Sequence, residues 1–270
     1  MSDPNDPLER IVLAVRESAK YHAVHKGLIR AVGAAELAKR PSLKEAIKAT
    51  KNKLHQVGAA YFGAEIPYTL WQMTLAQATD RDSGKETIQA ILRLHASTRE
   101  RLPIMTDFYT AIFGAITDPV RQVIDVACGL NPLMIPFMPL PPEIHYQAFD
   151  VYEDMITFLN GAFRVLGING EAHLADALRD PLPAADLAFV LKAIPCLEQL
   201  AKDAGRILLD RLRARWIVVS YPAQSLGGRG KGMAASYETH FNALIAGRGW
   251  KVTPLRFSTE IAFVVRTDHA

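Results

Sequence analysis

Asp150 ends a short apolar run, Asp176 follows a short strand expected at 171–175, and Asp125 lies inside a β-rich apolar run, just before Ala127-Cys128-Gly129-Leu130-Asn131-Pro132. In an open parallel sheet, ligands bind beyond the carboxyl ends of the strands. An acid ending the second strand can accept hydrogen bonds from two ribose hydroxyls. An acid after the third strand can face an adenine amine. Gly129 lets the backbone approach a ligand closely. A dinucleotide site would show G-x-G-x-x-G opening a helix, whereas here one glycine is followed by Leu-Asn-Pro, a poor phosphate cradle. The set points to an adenosine-bearing ligand without a pyrophosphate, by pattern S-adenosylmethionine (SAM) rather than NAD. A strand end with a purely structural role is the alternative.

A second chemistry is carried by charge. Residues 10–60 hold 11 Lys/Arg against three Glu, a local +8, in a chain whose net charge is only +3. Lys44, Lys48, Lys51 and Lys53 decorate one helix within that stretch. Such a segment is an electrostatic footprint for a polyanion such as nucleic acid. A solvated face of amphipathic helices is the competing explanation.

The elements that must position these groups follow from periodicity and breakers. Helical spacing covers 8–19, 23–39, 42–62, 67–79 and 84–94, with Pro41 ending the second and Ser42 capping the third, Glu45 being at the capping-box position. Ser97 or Thr98 is placed to cap a further helix reaching Ile116. At Asp118-Pro119 the pattern changes. Strands are expected at 120–126, 144–149, 171–175, 185–191 and 216–221, with helices at 152–166, 196–213 and 234–247. Two closing strands, 250–257 and 260–266, form an antiparallel hairpin. Strands alternating with helices predict an α/β fold: a mostly parallel, Rossmann-like sheet with helices on both faces, preceded by an all-helical N-terminal domain. The expected division is 1–118 and 119–270.

Composition narrows the class. At 270 residues, 49% apolar and 22% charged, the chain is ordinary globular material. No apolar run reaches the roughly 18–20 residues of a membrane span. The N-terminal Met1-Ser2-Asp3-Pro4-Asn5-Asp6 has no apolar core of a secretory signal, and two cysteines are too few for a disulfide scaffold or a four-cysteine zinc site. A cytoplasmic location without membrane partner is expected, and no metal.

Four segments carry a resemblance. They are His95-Ala96-Ser97-Thr98-Arg99-Glu100-Arg101, Val123–Leu133 with its Asp125-Val126-Ala127-Cys128-Gly129 turn, Leu191-Lys192-Ala193-Ile194-Pro195-Cys196-Leu197-Glu198, and Ser220–Met233 followed by Tyr237. In this order they resemble the aminoglycoside-resistance 16S ribosomal RNA methyltransferases that modify N7 of guanine 1405. The resemblance runs from about residue 20 to the C-terminus. The last segment, with Ser225-Leu226-Gly227-Gly228-Arg229-Gly230-Lys231-Gly232-Met233, is the most specific, because binding SAM does not itself require it.

The resemblance implies that SAM is the cofactor and S-adenosylhomocysteine the product. It implies that Arg101 pairs with the methionine carboxylate, a fit for a guanidinium fork. His95, Ala96 and Ser97 then lie at the same end, Ala127 and Gly129 pass under the methionine, Asp150 holds the ribose, and Asp176 with Ala177 holds the adenine. Leu191, Lys192 and Gln199 border cofactor and target base, and Tyr61 or Phe62 closes the pocket. Lys192, Arg229 and Lys231 become candidates to position a flipped-out guanine and its phosphates. Ser225 and the lysines at 44, 48, 51 and 53 become RNA contacts. The partner is 16S rRNA in the assembled 30S subunit, with the protein a monomer. Tyr221 and Gln224 depart from the Phe and the basic residue common in relatives, which removes one potential phosphate contact. N7 bears a lone pair and no proton, so direct in-line transfer needs no general base. Two other functions stay open: a SAM-dependent enzyme acting on a small molecule, and a non-catalytic ribosome-binding factor with this fold.

Overall fold

The computed structural model describes residues 6–59, 67–77, 81–223 and 233–268. The chain opens with α1 (Pro7–Arg16), α2 (Lys26–Leu37) and α3 (Leu43–Leu54). Asp6 caps α1 by accepting from the Leu8 N–H at 3.0 Å, with Pro7 at the first helical position. Ser42 Oγ accepts from the Glu45 N–H, as the capping-box spacing requires. A π-helical turn, His55–Ala59, follows α3. The three helices bury Ile11, Val15, Leu28, Ile29 and Leu54 in a small core of their own, against which Val151, Tyr152 and Leu200 pack.

Four more helices follow: α4 (Tyr68–Ala76), α5 (Arg81–Leu92), α6 (Ala96–Arg101) and α7 (Met105–Ala115). The single helix expected from Ser97 to Ile116 is interrupted by a 3₁₀ turn at Leu102–Ile104. Pro103 has no N–H to give to the helical ladder, so α6 stops at Arg101. Ser97 and Thr98 sit inside α6 rather than at its cap. Thr98 Oγ1 donates to the carbonyls of Leu92 (2.7 Å) and His95 (3.1 Å). Asp118, at the change of pattern, accepts from Trp216 Nε1 (3.0 Å) and Arg266 Nε (3.1 Å), tying the switch point to the sheet.

The second half alternates β1 (Gln122–Val126), β2 (His145–Asp150), α8 (Glu153–Leu166), β3 (Gly170–Leu174), β4 (Ala185–Leu191), α9 (Ile194–Leu197), α10 (Ala204–Arg211), β5 (Ala214–Pro222), α11 (Met233–Ile245), β6 (Lys251–Arg256) and β7 (Glu260–Arg266). The strand order is β3-β2-β1-β4-β5-β7-β6. β1 to β5 pair in parallel, and β7 runs antiparallel between β5 and β6. The expected α/β sheet with its antiparallel hairpin is therefore present. The helix expected over 196–213 is two helices. Gly205 lets α10 fold back onto α9: a β-carbon there would come within 2.8–2.9 Å of Glu198 Oε1 and Ile194 Cγ2.

Alternation along the strands divides the apolar residues between two faces. Val123, Leu187, Phe189 and Val218 share a core with α4, α5, α7 and α8, including Trp71, Ile88, Phe108 and Phe163. Ile124, Val126, Val190, Val219 and Phe263 pack against α10 and α11. The later N-terminal helices thus share a core with the sheet, while α1–α3 form a cluster at its edge. No helix among the described residues is long and apolar enough to cross a membrane.

Phe263 and Phe241 stack at 4.1 Å with planes 9° apart, both buried. Phe263→Ala is expected to cost about 3–5 kcal/mol. Urea unfolding should show a lower midpoint with an unchanged slope.

Candidate functional site

A cavity opens beyond the carboxyl ends of β1, β2 and β4. Its floor includes Ala127, Gly129, Asp150, Asp176, Ala177, Leu191 and Lys192, its side His95, Ser97 and Arg101, and its roof Val24, Leu28, Leu54, Val57 and Gly58. The α1–α3 cluster supplies that roof. It is fastened next to Asp150 by two backbone hydrogen bonds, from His25 to the Val151 carbonyl and from Glu153 to the Ala23 carbonyl, each 2.8 Å.

The turn after β1 lets a ligand lie close to the backbone. Ala127 (φ 53°) and Gly129 (φ 51°) are both left-handed. A β-carbon at Gly129 would stand 3.2 Å from the His95 ring. Ala127 pays about 1–2 kcal/mol for its conformation, a cost of the kind stored at binding sites.

Asp150 is buried and is held by the N–H groups of Gly129 (2.9 Å, to Oδ2) and Val151 (2.7 Å, to Oδ1). Desolvation outweighs these bonds and pushes its carboxyl up to about 6. Asp176 lies two residues past β3 rather than at its end. Its oxygens accept from the Leu178 N–H (3.0 Å) and Arg179 Nη1 (2.5 Å).

Beneath the cavity runs a buried polar chain. Asp125 Oδ2 accepts from Asn131 Nδ2 (2.8 Å) and the Tyr146 hydroxyl (2.7 Å), and burial pushes Asp125 up to about 7. Asn131 Oδ1 accepts from Tyr109 OH (2.6 Å) and Arg101 Nη1 (2.8 Å). Arg101 Nε and Nη2 donate to the two oxygens of Glu260 at 3.1 and 2.6 Å. Glu260 also accepts from Ser220 Oγ (2.5 Å) and lies 3.3 Å from Lys192 Nζ. Lys192 Nζ reaches Glu100 (2.7 Å) and the Ser97 carbonyl (3.4 Å). Arg101 is 1% exposed, Glu260 0% and Lys192 3%. His95, buried beside these cations, is pushed down to about 4, first by desolvation and then by Arg101 and Lys192, so it is neutral near pH 7.

The structure thus brings His95, Ser97, Arg101, Ala127, Gly129, Asp150, Asp176, Ala177, Leu191 and Lys192 around one space. Ala96 is buried outside its lining, and Gln199 is exposed and also outside it. Lys192, expected to reach toward RNA, turns inward from a left-handed backbone (φ 57°). Lys44 and Lys48 are exposed, and among the described residues neither has an ion pair. Lys51 donates to Ser18 Oγ at 2.6 Å, and Lys53 is half-buried. Tyr61, Phe62, Ser225, Arg229 and Lys231 lie outside the described residues.

Sequence reasoning missed Asn131, Glu100 and Glu260 as site residues, and it named Tyr61 or Phe62 as the closing group without naming Val24, Leu28, Leu54 and Val57. Asn131 stood inside a motif already singled out. Glu260 had one signal: an acid opening a strand whose next five residues are apolar.

The ribosomal RNA methyltransferase (FmrO) family profile matches residues 17–264, a span containing all four motifs. The chain belongs to this family. A 16S rRNA (guanine(1405)-N(7))-methyltransferase of Frankia casuarinae is 37% identical over 266 residues, covering 96% of this chain and 93% of that protein. One of Micromonospora echinospora is 33% identical, covering 98% of each. Among solved structures, the 16S rRNA methyltransferase RmtF in complex with S-adenosyl-L-homocysteine superposes with a TM-score of 0.84 at 28% identity, covering 98% of this chain and 100% of RmtF. The 16S rRNA methylase RmtB gives 0.79 at 25% identity, covering 97% and 98%.

In this ribosomal RNA methyltransferase family member, losing one partner of the Arg101–Glu260 pair leaves a buried charge poorly compensated. Arg101→Leu is expected to lower the unfolding free energy of the ligand-free protein by about 3 kcal/mol, since broken buried pairs cost roughly 3–5. Chemical denaturation without added ligand measures this.

Proposed function

We propose that the protein transfers a methyl group from SAM to N7 of guanine 1405 in the 16S rRNA of the 30S subunit, the modification that confers aminoglycoside resistance. The observation that carries this is the near full-length match to relatives bearing that activity in their names, joined to a cavity at the strand ends that suits SAM. In this reading the basic helices of residues 1–118 dock on rRNA, while residues 119–270 carry most of the cofactor site and His95, Ser97 and Arg101 of the first part complete its side, in a cytoplasmic monomer.

The residues present fit the cofactor. Asp150, with its two oxygens each holding one backbone N–H, retains lone pairs for two ribose hydroxyls. A guanidinium has five N–H groups, and the three bonds that Arg101 makes to Glu260 and Asn131 do not use all of them, so Nη N–H groups beside the Tyr109 hydroxyl remain for a ligand carboxylate. Asp176 and Ala177 border the space for the adenine, and Leu191 walls it. The backbone at Ala127 and Gly129 opens room for the methionine portion. SAM, when bound, supplies the methyl group on a sulfonium that is already a strong electrophile.

Guanine N7 carries a lone pair and no proton, so the protein's task is positioning and electrostatics. The base must leave its stack to reach the cavity. Arg229, Lys231 and Ser225 of the glycine-rich loop are assigned to hold it and its phosphates. Lys192, whose ammonium is bound by Glu100, Glu260 and the Ser97 carbonyl, shapes the wall and its charge rather than gripping phosphate. Lys44 and Lys48 on α3 supply exposed charge for the rRNA surface.

Purified 30S subunits incubated with labelled SAM should gain one methyl group, and strand cleavage at N7-methylguanine should map it to position 1405. Label at another nucleotide, or none, overturns the reading. Replacing Lys44 and Lys48 by Ala should reduce the slope of log affinity for 30S against log salt by about two, one per lost phosphate contact.

The carboxylate form of Asp150 is the one that accepts from hydroxyls, and in the ligand-free protein it is lost below about pH 6. Affinity for S-adenosylhomocysteine should therefore fall as the pH drops from 7 to 5. Asp150→Asn should bind weakly at all pH values and lose the component of that dependence centred near 6, as calorimetry across pH would show.

A further inference from the structure

Glu260 is not itself part of the cavity lining, but it contacts two residues that are, Arg101 and Lys192. It is fully buried, and four donors converge on it. Arg101 presents Nε and Nη2 to its two oxygens as a parallel fork, the geometry that fixes a guanidinium in plane as well as in place. Lys192 stands on its other side, and Ser220 Oγ donates to it while also accepting from the Lys192 backbone N–H at 3.1 Å. The carboxylate is held below its usual range by Arg101 and then Lys192, in spite of burial, so it stays charged. One anion thus spaces two cations that would otherwise repel, and both cations line the cavity.

The position depends on strand direction. Glu260 is the first residue of β7, opposite Pro222 of β5 in the antiparallel register. An antiparallel strand brings its first residue to the edge where its parallel neighbours end. Glu260 therefore arrives beside the ends of β4 and β5, where Lys192 and Ser220 lie.

We propose that Glu260 is a positioning residue for cofactor binding: by clamping one edge of the Arg101 guanidinium, with Lys192 held beside it, it presents the remaining guanidinium N–H groups as a preformed receptor for the cofactor's carboxylate. This rests on the reading that Arg101 receives that carboxylate. Two opposing effects follow when the charge is removed. A freed cation attracts a carboxylate more strongly. However, the carboxylate of an amino-acid moiety comes with an ammonium group attached, so the field of the freed cation largely cancels over the zwitterion. Geometry then decides: the amide of Gln would set N–H against N–H on one arm of the fork, and the guanidinium turns away from its receptor plane. Loss of such supporting contacts around a binding site costs on the order of 10–100-fold in affinity where it has been measured at metal sites.

The test is a double-mutant cycle on the full-length protein with Glu260→Gln, Arg101→Lys and the double variant. Binding of S-adenosylhomocysteine is measured by calorimetry, methylation of 30S subunits by steady-state kinetics, and folding by circular dichroism. Expected are an affinity loss of about tenfold or more for each single variant and a double variant no weaker than Arg101→Lys. KM for SAM should rise more in Glu260→Gln than kcat falls, with KM for 30S little changed. Wild-type affinity in Glu260→Gln, or losses that multiply in the double variant, overturns the proposal while leaving the cofactor assignment of Arg101 intact. Wild-type affinity in Arg101→Lys overturns that assignment and the proposal with it. Ser220→Ala keeps every charge and removes one donor to Glu260, so it provides a milder probe if Glu260→Gln does not fold. It should weaken binding a few-fold, and an unchanged affinity in folded Ser220→Ala counts against the proposal.

Discussion

The bidentate pair between Arg101 and Glu260 joins parts of the molecule 159 residues apart in sequence. Around it close the end of α6, the ends of β4 and β5, the start of β7 and, through Asn131, the turn after β1. Burying these charges costs desolvation that a well-packed apolar cluster would avoid, so stability alone does not explain them. What the arrangement does provide is definition of place. The two arms of the Arg101 fork each meet their own Glu260 oxygen, and the cavity wall inherits that rigidity.

The same reasoning accounts for the strained residues. Ala127 and Lys192, the two non-glycine residues with positive φ among those described, both line the cavity. Ala127 gives the turn after β1 its close approach to a ligand. Lys192 uses the unusual backbone to send a lysine inward, where Glu100 and Glu260 compensate its charge. The cost at each point is met by surroundings that leave no easier conformation. Above them, α1–α3 form the roof and also carry exposed Lys44 and Lys48. One helical cluster thus faces the cofactor space with its apolar residues and solvent with its charges.

Much of this was legible in the chain before folding was considered. The alternation of strand and helix after Asp118 reflects apolar periods of two and of 3.6, which are local consequences of which face is buried. Asp150 and the Asp125–Gly129 turn could be placed because strand ends in a parallel sheet are where ligands bind. Where local reading failed, the cause was a specific competing interaction. Pro103 broke a helix that apolar spacing alone would continue. Gly205 allowed α10 to pack back on α9 where composition showed only one Leu-rich helix.

By itself, then, the sequence determined the elements, the sheet's two-faced character, the uneven charge and the acids at the strand ends, because each depends on residues near one another in the chain. Only the tertiary structure decided that Lys192 points inward, that α1–α3 roof the cavity, and that Glu260 completes the Arg101 site. The last of these depends on the insertion of an antiparallel β7 between β5 and β6. That pairing reverses the strand and delivers its first residue to the carboxyl edge of the sheet, a placement that no local pattern encodes.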